Sequence, residues 1–63
     1  MMHYRLYFMD RNSGHICDFE AIEAHDDNGA METAELHRGD WPMELWWQGR
    51  LVEKYPAGRL KKH

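Results

Sequence analysis

The first clear pattern along the chain is an alternation of apolar and polar side chains in residues 3–9, HYRLYFM. Alternation with a period of two is typical of a β-strand that buries one face, and aromatic residues favour sheets. Residues 10–14, DRNSG, have the composition of a tight turn. Residues 15–24, HICDFEAIEA, predict a second strand. Because only a short turn separates the two strands, they are predicted to form an antiparallel hairpin.

A four-residue loop at 10–13 gives this hairpin a register in which apolar residues meet across one face. The predicted partners are Tyr4 with Phe19, Leu6 with Cys17, Phe8 with His15, Tyr7 with Ile16 and Arg5 with Asp18. A slip by one residue opposes Leu6 to Asp18, which disfavours that alternative. In the preferred register Cys17 is a buried and unreactive side chain. Ile22 falls out of phase, which indicates a bulge or the end of the strand.

Residues 25–39, HDDNGAMETAELHRG, have the start and stop signals of an α-helix. Residues 26–28 are all good N-caps, and the two acids suit the positive end of the helix dipole. Gly39, which follows an arginine, is a stop signal. Ala30 and Ala34 fall on one side, so the helix is predicted to present small residues to the sheet.

Residues 43–47, MELWW, and residues 50–55, RLVEKY, flank Gln48-Gly49 and predict a second hairpin in which the glycine supplies a positive φ. Its register stays open between two alternatives. A loop at 48–50 pairs Glu44 with Lys54, Trp46 with Val52 and Leu45 with Glu53, whereas a loop at 47–49 pairs Leu45 with Leu51 and Trp46 with Arg50.

These elements predict an α+β fold with the order β-β-α-β-β, in which two hairpins form a four-stranded antiparallel or mixed sheet and one helix packs on one face. The strand order is left open. The 63 residues are predicted to form one small domain, 1–63. Its ordered core spans about residues 3–56, and the tail at 57–63 is predicted to be frayed because it lacks apolar periodicity.

The segments YRLYF, SGHI, FEAIE, DD, MELW and RLV follow one another between about residues 3 and 56. This order resembles a group of short alphaproteobacterial proteins that have no assigned activity. Those proteins open with a Y-R-L/F-Y hairpin, continue with an acidic helix cap and close with an E-L-W…R-L-V hairpin. The chain departs from the pattern at Trp46-Trp47, where one tryptophan is expected, and at Asn28-Gly29 in the helix start. The resemblance implies the β-β-α-β-β fold and no mechanism.

Several classes of protein are disfavoured by what the chain lacks. Cys17 is the only cysteine, which excludes an internal disulfide and a C-x-x-C metal site. No apolar run reaches 18 residues, so no membrane span is predicted. Residues 1–5, MMHYR, are not predicted to form a signal peptide. A single thiol without an export signal favours the cytoplasm.

No residue pattern indicates a catalytic site, a cofactor or a metal centre, so the chain is predicted not to be an enzyme. The five histidines are His3, His15, His25, His37 and His63. None of them has the spacing of a helical metal site, so structural or surface roles are predicted. The glycines do not form a phosphate-binding string.

The net charge of −3 is unevenly distributed along the chain. Residues 18–35 hold seven acids and no lysine or arginine, whereas residues 50–63 hold five basic residues and one glutamate. A solvated acidic edge and a solvated basic tail are the simplest interpretation. Head-to-tail complementarity between subunits and a nucleic-acid contact by the tail are the alternatives. The acidic balance makes nucleic-acid binding the weaker one.

A helix of about 12 residues, ~18 Å long, covers only one face of a four-stranded sheet. The other face is predicted to be an interaction face that contains Tyr7, Ile16, Trp46 and Val52. An apolar cluster rimmed by charges usually marks an association surface. We therefore predict a non-enzymatic interaction module that forms a homodimer through this face or through an edge strand, with an unidentified protein as the other candidate partner. The alternative is a small nucleic-acid-binding regulator that uses the basic C-terminal end and exposed aromatic residues.

The three tryptophans are predicted to have different environments, because adjacent strand residues point to opposite faces. Trp47 is expected beneath the alanine side of the helix, and Trp46 on the open side of the sheet. Trp41, which precedes a proline, is expected to cap one end of the core.

Overall fold

In the computed structural model, which describes residues 1–58, four strands form one antiparallel sheet and a single helix packs on one side of it. The elements are β1 (Met2–Met9), β2 (Ile16–Ala24), α1 (Asp27–Glu35), β3 (Met43–Trp47) and β4 (Arg50–Tyr55). The strand order is β2-β1-β3-β4, so β1 and β3 are central and β2 and β4 are edge strands. The predicted α+β fold and its β-β-α-β-β order are confirmed.

The helix lies close to the sheet because alanine forms its inner side. Ala30 and Ala34 are completely buried, and their small side chains leave room for larger residues from the strands. The strand residues of the core cluster are Tyr4, Leu6, Ile22, Ala24, Met43, Leu45 and Tyr55. The predicted small-residue side of the helix is therefore confirmed.

The helix begins near the predicted position and ends earlier. Asp26 is the N-cap, and its carboxylate accepts a hydrogen bond from the Gly29 N–H at 2.9 Å. The α-helix ends at Glu35 rather than close to Gly39. The reason is that the N–H groups of residues 36–38 bond to carbonyls three residues back, which tightens the last turn into 3₁₀ geometry.

The predicted register of the first hairpin is wrong by three residues. The observed partners are Tyr4 with Ile22, Leu6 with Glu20, Tyr7 with Phe19 and Phe8 with Asp18. The turn accounts for two residues of the shift, because Asp10 and His15 still pair through a 2.8 Å hydrogen bond and Gly14 closes the loop at φ 79. A β-bulge that leaves Cys17 unpaired adds the third residue.

The new register changes which β2 side chains reach the core. The prediction that Cys17 is buried is wrong, because the thiol lies at the bulge and is exposed. Phe19 points away from the helix and is 50% exposed. Ile22, which looked out of phase, packs in the core, and the strand continues to Ala24.

The second hairpin has a two-residue loop, Gln48-Gly49, which neither predicted register contains. A bulge at Val52 follows, so that beyond it Glu44 lies opposite Lys54, as in the first of the two predicted registers. The left-handed residue in the loop is Gln48, with φ 55, and not Gly49. The bulge lets the hairpin combine a two-residue turn with the pairing of Glu44 and Lys54 that a three-residue loop predicted.

Trp47 packs against the core cluster, in agreement with its predicted position. The prediction for Trp41 is wrong, because its side chain is 47% exposed and lies outside the core cluster. Trp41 belongs to the bend before Pro42, where the connection from the helix to β3 runs over the surface.

At the C-terminal end of the described residues, the Gly58 N–H donates to the Gly39 carbonyl at 2.9 Å. The Arg38 guanidinium donates to the Gly58 carbonyl at 3.3 Å. The rest of the predicted frayed tail, 59–63, lies outside the described residues. The nine-residue helix, the only one in residues 1–58, is too short and too polar to cross a membrane.

Candidate functional site

The side of the sheet opposite the helix has no covering element among residues 1–58, and we call it the open face. Cross-strand partners share a face, so the pairing assigns the members of the open face. Two rows run across β2, β1, β3 and β4 in that order. The first row is Ala21, Arg5, Trp46 and Leu51, and the second row is Phe19, Tyr7, Glu44 and Lys54.

Aromatic side chains dominate the centre of the open face. The rings of Tyr7 and Phe19 lie 6.1 Å apart in a tilted arrangement, and the Arg5 guanidinium carbon lies 5.4 Å from the Phe19 ring centroid. The Trp46 indole Nε1–H donates to the Glu44 carboxylate at 3.0 Å. These contacts hold the side chains of the open face in defined orientations.

A cleft of about 480 Å³ opens on this face. Its lining includes His3, Arg5, Tyr7, Ala21, Trp46 and Gln48. Charges of both signs surround it. The face carries two positive side chains, Arg5 and Lys54, and two negative ones, Glu44 and Glu23. The Glu23 carboxylate lies 3.4 Å from the His3 ring. The face is therefore aromatic at its centre and close to neutral.

The structure brings together two of the four residues predicted for the interaction face. Tyr7 and Trp46 both line the cleft. Ile16 lies at the start of β2, opposite Met9, and is 57% exposed. Val52 packs against the core cluster on the helix side, because the bulge at this residue changes its phase. The predicted role of these residues in association stays a prediction.

Sequence reasoning missed Phe19 and Leu51 as members of the open face. The Phe19 side chain is 50% exposed and the Leu51 side chain is 40% exposed, which is more than a large apolar side chain exposes in a buried strand. The bulge at Cys17 places Phe19 on the open face and the bulge at Val52 does the same for Leu51, so neither placement follows from the predicted registers. The sequence does contain a signal for the position of Phe19. Ile22 and Ala24 are two apolar residues at a spacing of two near the end of β2, so they indicate which face of the strand is buried, and the alternation then places Phe19 on the other face.

On the opposite face, a polar group ties the helix to the sheet. The Tyr4 hydroxyl donates to the Asp27 carboxylate at 2.8 Å, and the Arg50 guanidinium lies 3.2 Å from the same carboxylate. Burial, together with the hydrogen bond to Asp27, raises the pKa of Tyr4 to about 12. The hydrogen bond from Tyr4 and the charge of Arg50 lower the pKa of Asp27. This group has an evident structural function, since it joins the first turn of α1 to β1 and β4.

The described residues contain no group of three histidine, cysteine, aspartate or glutamate side chains that is close enough to hold a metal ion. His37 lies 3.2 Å from the Thr33 carbonyl through its Nδ1, and the Cys17 thiol donates to the Phe8 carbonyl at 3.4 Å. His63 lies outside the described residues.

No model of a protein family, no curated protein and no solved structure matches the chain.

Proposed function

We propose that this chain is a small, non-enzymatic protein-interaction module that acts as a homo-oligomer, and that its open face is the contact with a second copy. One observation carries the proposal. The aromatic cluster of Tyr7, Phe19 and Trp46 occupies a sheet face that no element covers among residues 1–58. Clusters of this kind on small proteins usually mark association surfaces.

The size of the chain supports the same proposal. A nine-residue helix is about 14 Å long, so it covers one side of the sheet and nothing more. A 63-residue domain buries only about 60% of its unfolded surface, which makes its stability marginal without further support. Small domains gain that support from disulfides, metals or oligomers. With a single cysteine in the sequence, oligomerisation is the device that fits.

The open face fits a second copy better than the edge strands do. Three acids, Asp18, Glu20 and Glu23, lie along β2, so two β2 edges repel one another when they pair. The β4 edge is interrupted by the bulge at Val52, which disturbs the regular row of backbone donors and acceptors. Both edges therefore carry features that oppose pairing, whereas the open face is nearly neutral.

The area of the open face is consistent with a dimer of standard size. An eight-residue strand of ~26 Å and four strands spaced by ~4.8 Å give a flat area of about 500 Å². A standard interface buries about 800 Å² of accessible surface per partner, and accessible surface follows every side chain and so exceeds the flat area. A second copy therefore has to use the whole face, including its charged rim.

Sedimentation velocity on the full chain tests the proposal, over concentrations from about 1 to 100 µM, which bracket moderate affinities. We expect a species of twice the 7.6 kDa chain mass to dominate as the concentration rises. A monomer at every concentration overturns the proposal.

We also propose a cytoplasmic location, since an exposed, unpaired Cys17 thiol suits a reducing compartment.

A nucleic-acid-binding regulator is the second candidate function. The observation in its favour is that Tyr7, Phe19 and Trp46 share one face with Arg5, as in stacking platforms for single strands. Such platforms also need a basic groove for the phosphates, and the open face is nearly neutral. Titration of the chain with labelled single-stranded DNA and RNA at low salt distinguishes the two. Binding that weakens as salt rises favours this second candidate.

A further inference from the structure

The outer edge of β2 is a second surface that has no partner among residues 1–58. β2 is nine residues long and pairs only with β1, so one side of its backbone faces outward. Residues 16–21 and Glu23 are exposed, so neither the helix nor a loop covers this edge. The edge lies in the plane of the sheet, and a partner can therefore reach it whether or not a second copy covers the open face.

One hydrogen bond identifies the backbone groups that point outward. The Phe19 N–H donates to the Asp18 carboxylate at 2.8 Å and therefore not to β1. Backbone bonding alternates along an antiparallel strand, and the pairing from Phe19 to Ala24 has no irregularity, so Ala21 and Glu23 also point outward. The N–H groups of Ala21 and Glu23 and the carbonyls of residues 19, 21 and 23 thus form a row of about 14 Å that can bond to a further strand.

The side chains along this edge are acidic. Asp18 and Glu20 lie on the helix side of the sheet and Glu23 lies on the open face, so an added strand meets a carboxylate on either face. Within residues 1–58 no basic side chain forms an ion pair with Asp18 or Glu20. Opposite charges on adjacent strands stabilise their pairing, and like charges destabilise it. The edge is therefore complementary to a strand that carries basic side chains.

We propose that the outer edge of β2 binds an extended, lysine- or arginine-rich segment of another protein, which adds to the sheet as a fifth strand. The outward backbone groups of residues 19–23 bond to the segment, and the carboxylates of residues 18, 20 and 23 select its basic side chains. The same acids repel β2 of a second copy. The β4 edge offers no equivalent, because the bulge at Val52 interrupts it and its charges have both signs.

Solvent-exchange NMR on the full chain, labelled with ¹⁵N, tests the proposal with a synthetic peptide of alternating lysine and threonine as the probe. When the peptide occupies about nine-tenths of the chains, exchange of the Ala21 and Glu23 N–H groups should slow about tenfold, because they exchange only from the free chain. The Ile22 N–H points to β1, so its exchange should change little.

Two control peptides separate strand addition from charge attraction. A peptide of alternating glutamate and threonine should leave the exchange of both groups unchanged. A lysine–threonine peptide that is methylated at every backbone nitrogen keeps the charges but has no N–H donors, so it should also leave them unchanged. If the methylated peptide slows exchange as strongly as the unmethylated one, the contact is electrostatic only and the proposal is overturned.

Glu20→Lys and Glu53→Lys form a matched pair of variants. Each reverses one exposed charge on the helix side of the sheet, opposite a buried leucine, but Glu53 lies on the other edge strand. The Kd of the lysine–threonine peptide should rise at least about threefold more in Glu20→Lys than in Glu53→Lys. An equal rise in both variants contradicts the proposal. The peptide controls on the wild-type chain decide the result if a variant does not fold.

Two further outcomes overturn the proposal. One is unchanged exchange of Ala21 and Glu23 at lysine–threonine peptide concentrations up to about 1 mM. The other is slow exchange of these groups in the chain alone as its concentration rises, which assigns the edge to a second copy. The homo-oligomer through the open face is tested by sedimentation without peptide, so either proposal can fail while the other stands.

Discussion

Phe19→Ala is the substitution that separates association from folding most cleanly. Phe19 lies on the edge strand β2, points to the open face and is 50% exposed. Within one copy it contacts Tyr7 and the Arg5 guanidinium. Removing the ring costs the monomer about 1 kcal/mol from these contacts, which leaves the core untouched.

The effect on the dimer follows from the exposed half of the ring. A phenylalanine side chain of ~200 Å² that is half exposed offers ~100 Å², worth about 2.5 kcal/mol if it is completely buried in the dimer. The alanine methyl retains part of this, so the loss is about 2 kcal/mol per copy and about 4 kcal/mol for two symmetric copies. If the dimer buries only half of this exposed area, the loss is about 2 kcal/mol for the two copies together. We therefore expect Kd to rise between about 30-fold and about 1,000-fold.

The assay is sedimentation equilibrium of wild type and variant, with circular dichroism to verify that both are folded. Trp41→Ala and Leu36→Ala are matched controls, because they remove large side chains that are 47% and 84% exposed but lie outside the open face. Their Kd should stay within about twofold of wild type. A Phe19→Ala chain that dimerises like wild type, or a control that weakens the dimer as strongly, refutes the reasoning.

Three further predictions concern stability. Leu45→Ala removes a completely buried side chain and should lower the free energy of unfolding by about 2–5 kcal/mol in urea titration, and a loss below 1 kcal/mol contradicts its place in the core. Because the pKa of Asp27 is lowered from 3.8, its charge stabilises the fold above about pH 4, and this contribution disappears as the pH falls through the folded pKa. The urea midpoint of Asp27→Asn should thus change less than that of wild type between pH 5 and pH 2 (about the acid range of carboxylates). If the urea midpoints of the two proteins depend equally on pH, this prediction is refuted. Gln48→Asn places a residue that tolerates the left-handed region at φ 55 and should stabilise the second hairpin by about 0.5–1 kcal/mol, whereas a lower melting temperature contradicts the assigned loop geometry.

The elements of this fold are predictable from the sequence because each has a strong local signal. The alternation in residues 3–9 and the cap at Asp26 place β1 and the start of α1 within one or two residues of their observed bounds. The alanines at 30 and 34 also predict correctly which side of the helix meets the sheet. These features depend on neighbours within one turn or one strand.

The strand registers are not predictable in the same way, because each depends on a single unpaired residue. Cys17 and Val52 are the bulged positions, and neither residue type marks a bulge. Each bulge changes the phase of its strand, so Phe19 moves to the open face and Val52 to the core side. Tyr7 and Trp46 were placed on one face correctly because they lie in the two central strands, in stretches without a bulge before them.

The most direct measurement of the central claim is an isotope-filtered NOE spectrum of an equal mixture of labelled and unlabelled chains. Such a spectrum records only contacts between copies. A dimer through the open face predicts cross-peaks among the rings of Tyr7, Phe19 and Trp46. Intermolecular cross-peaks from α1 or from the outer edges alone, with none from the open face, would contradict it.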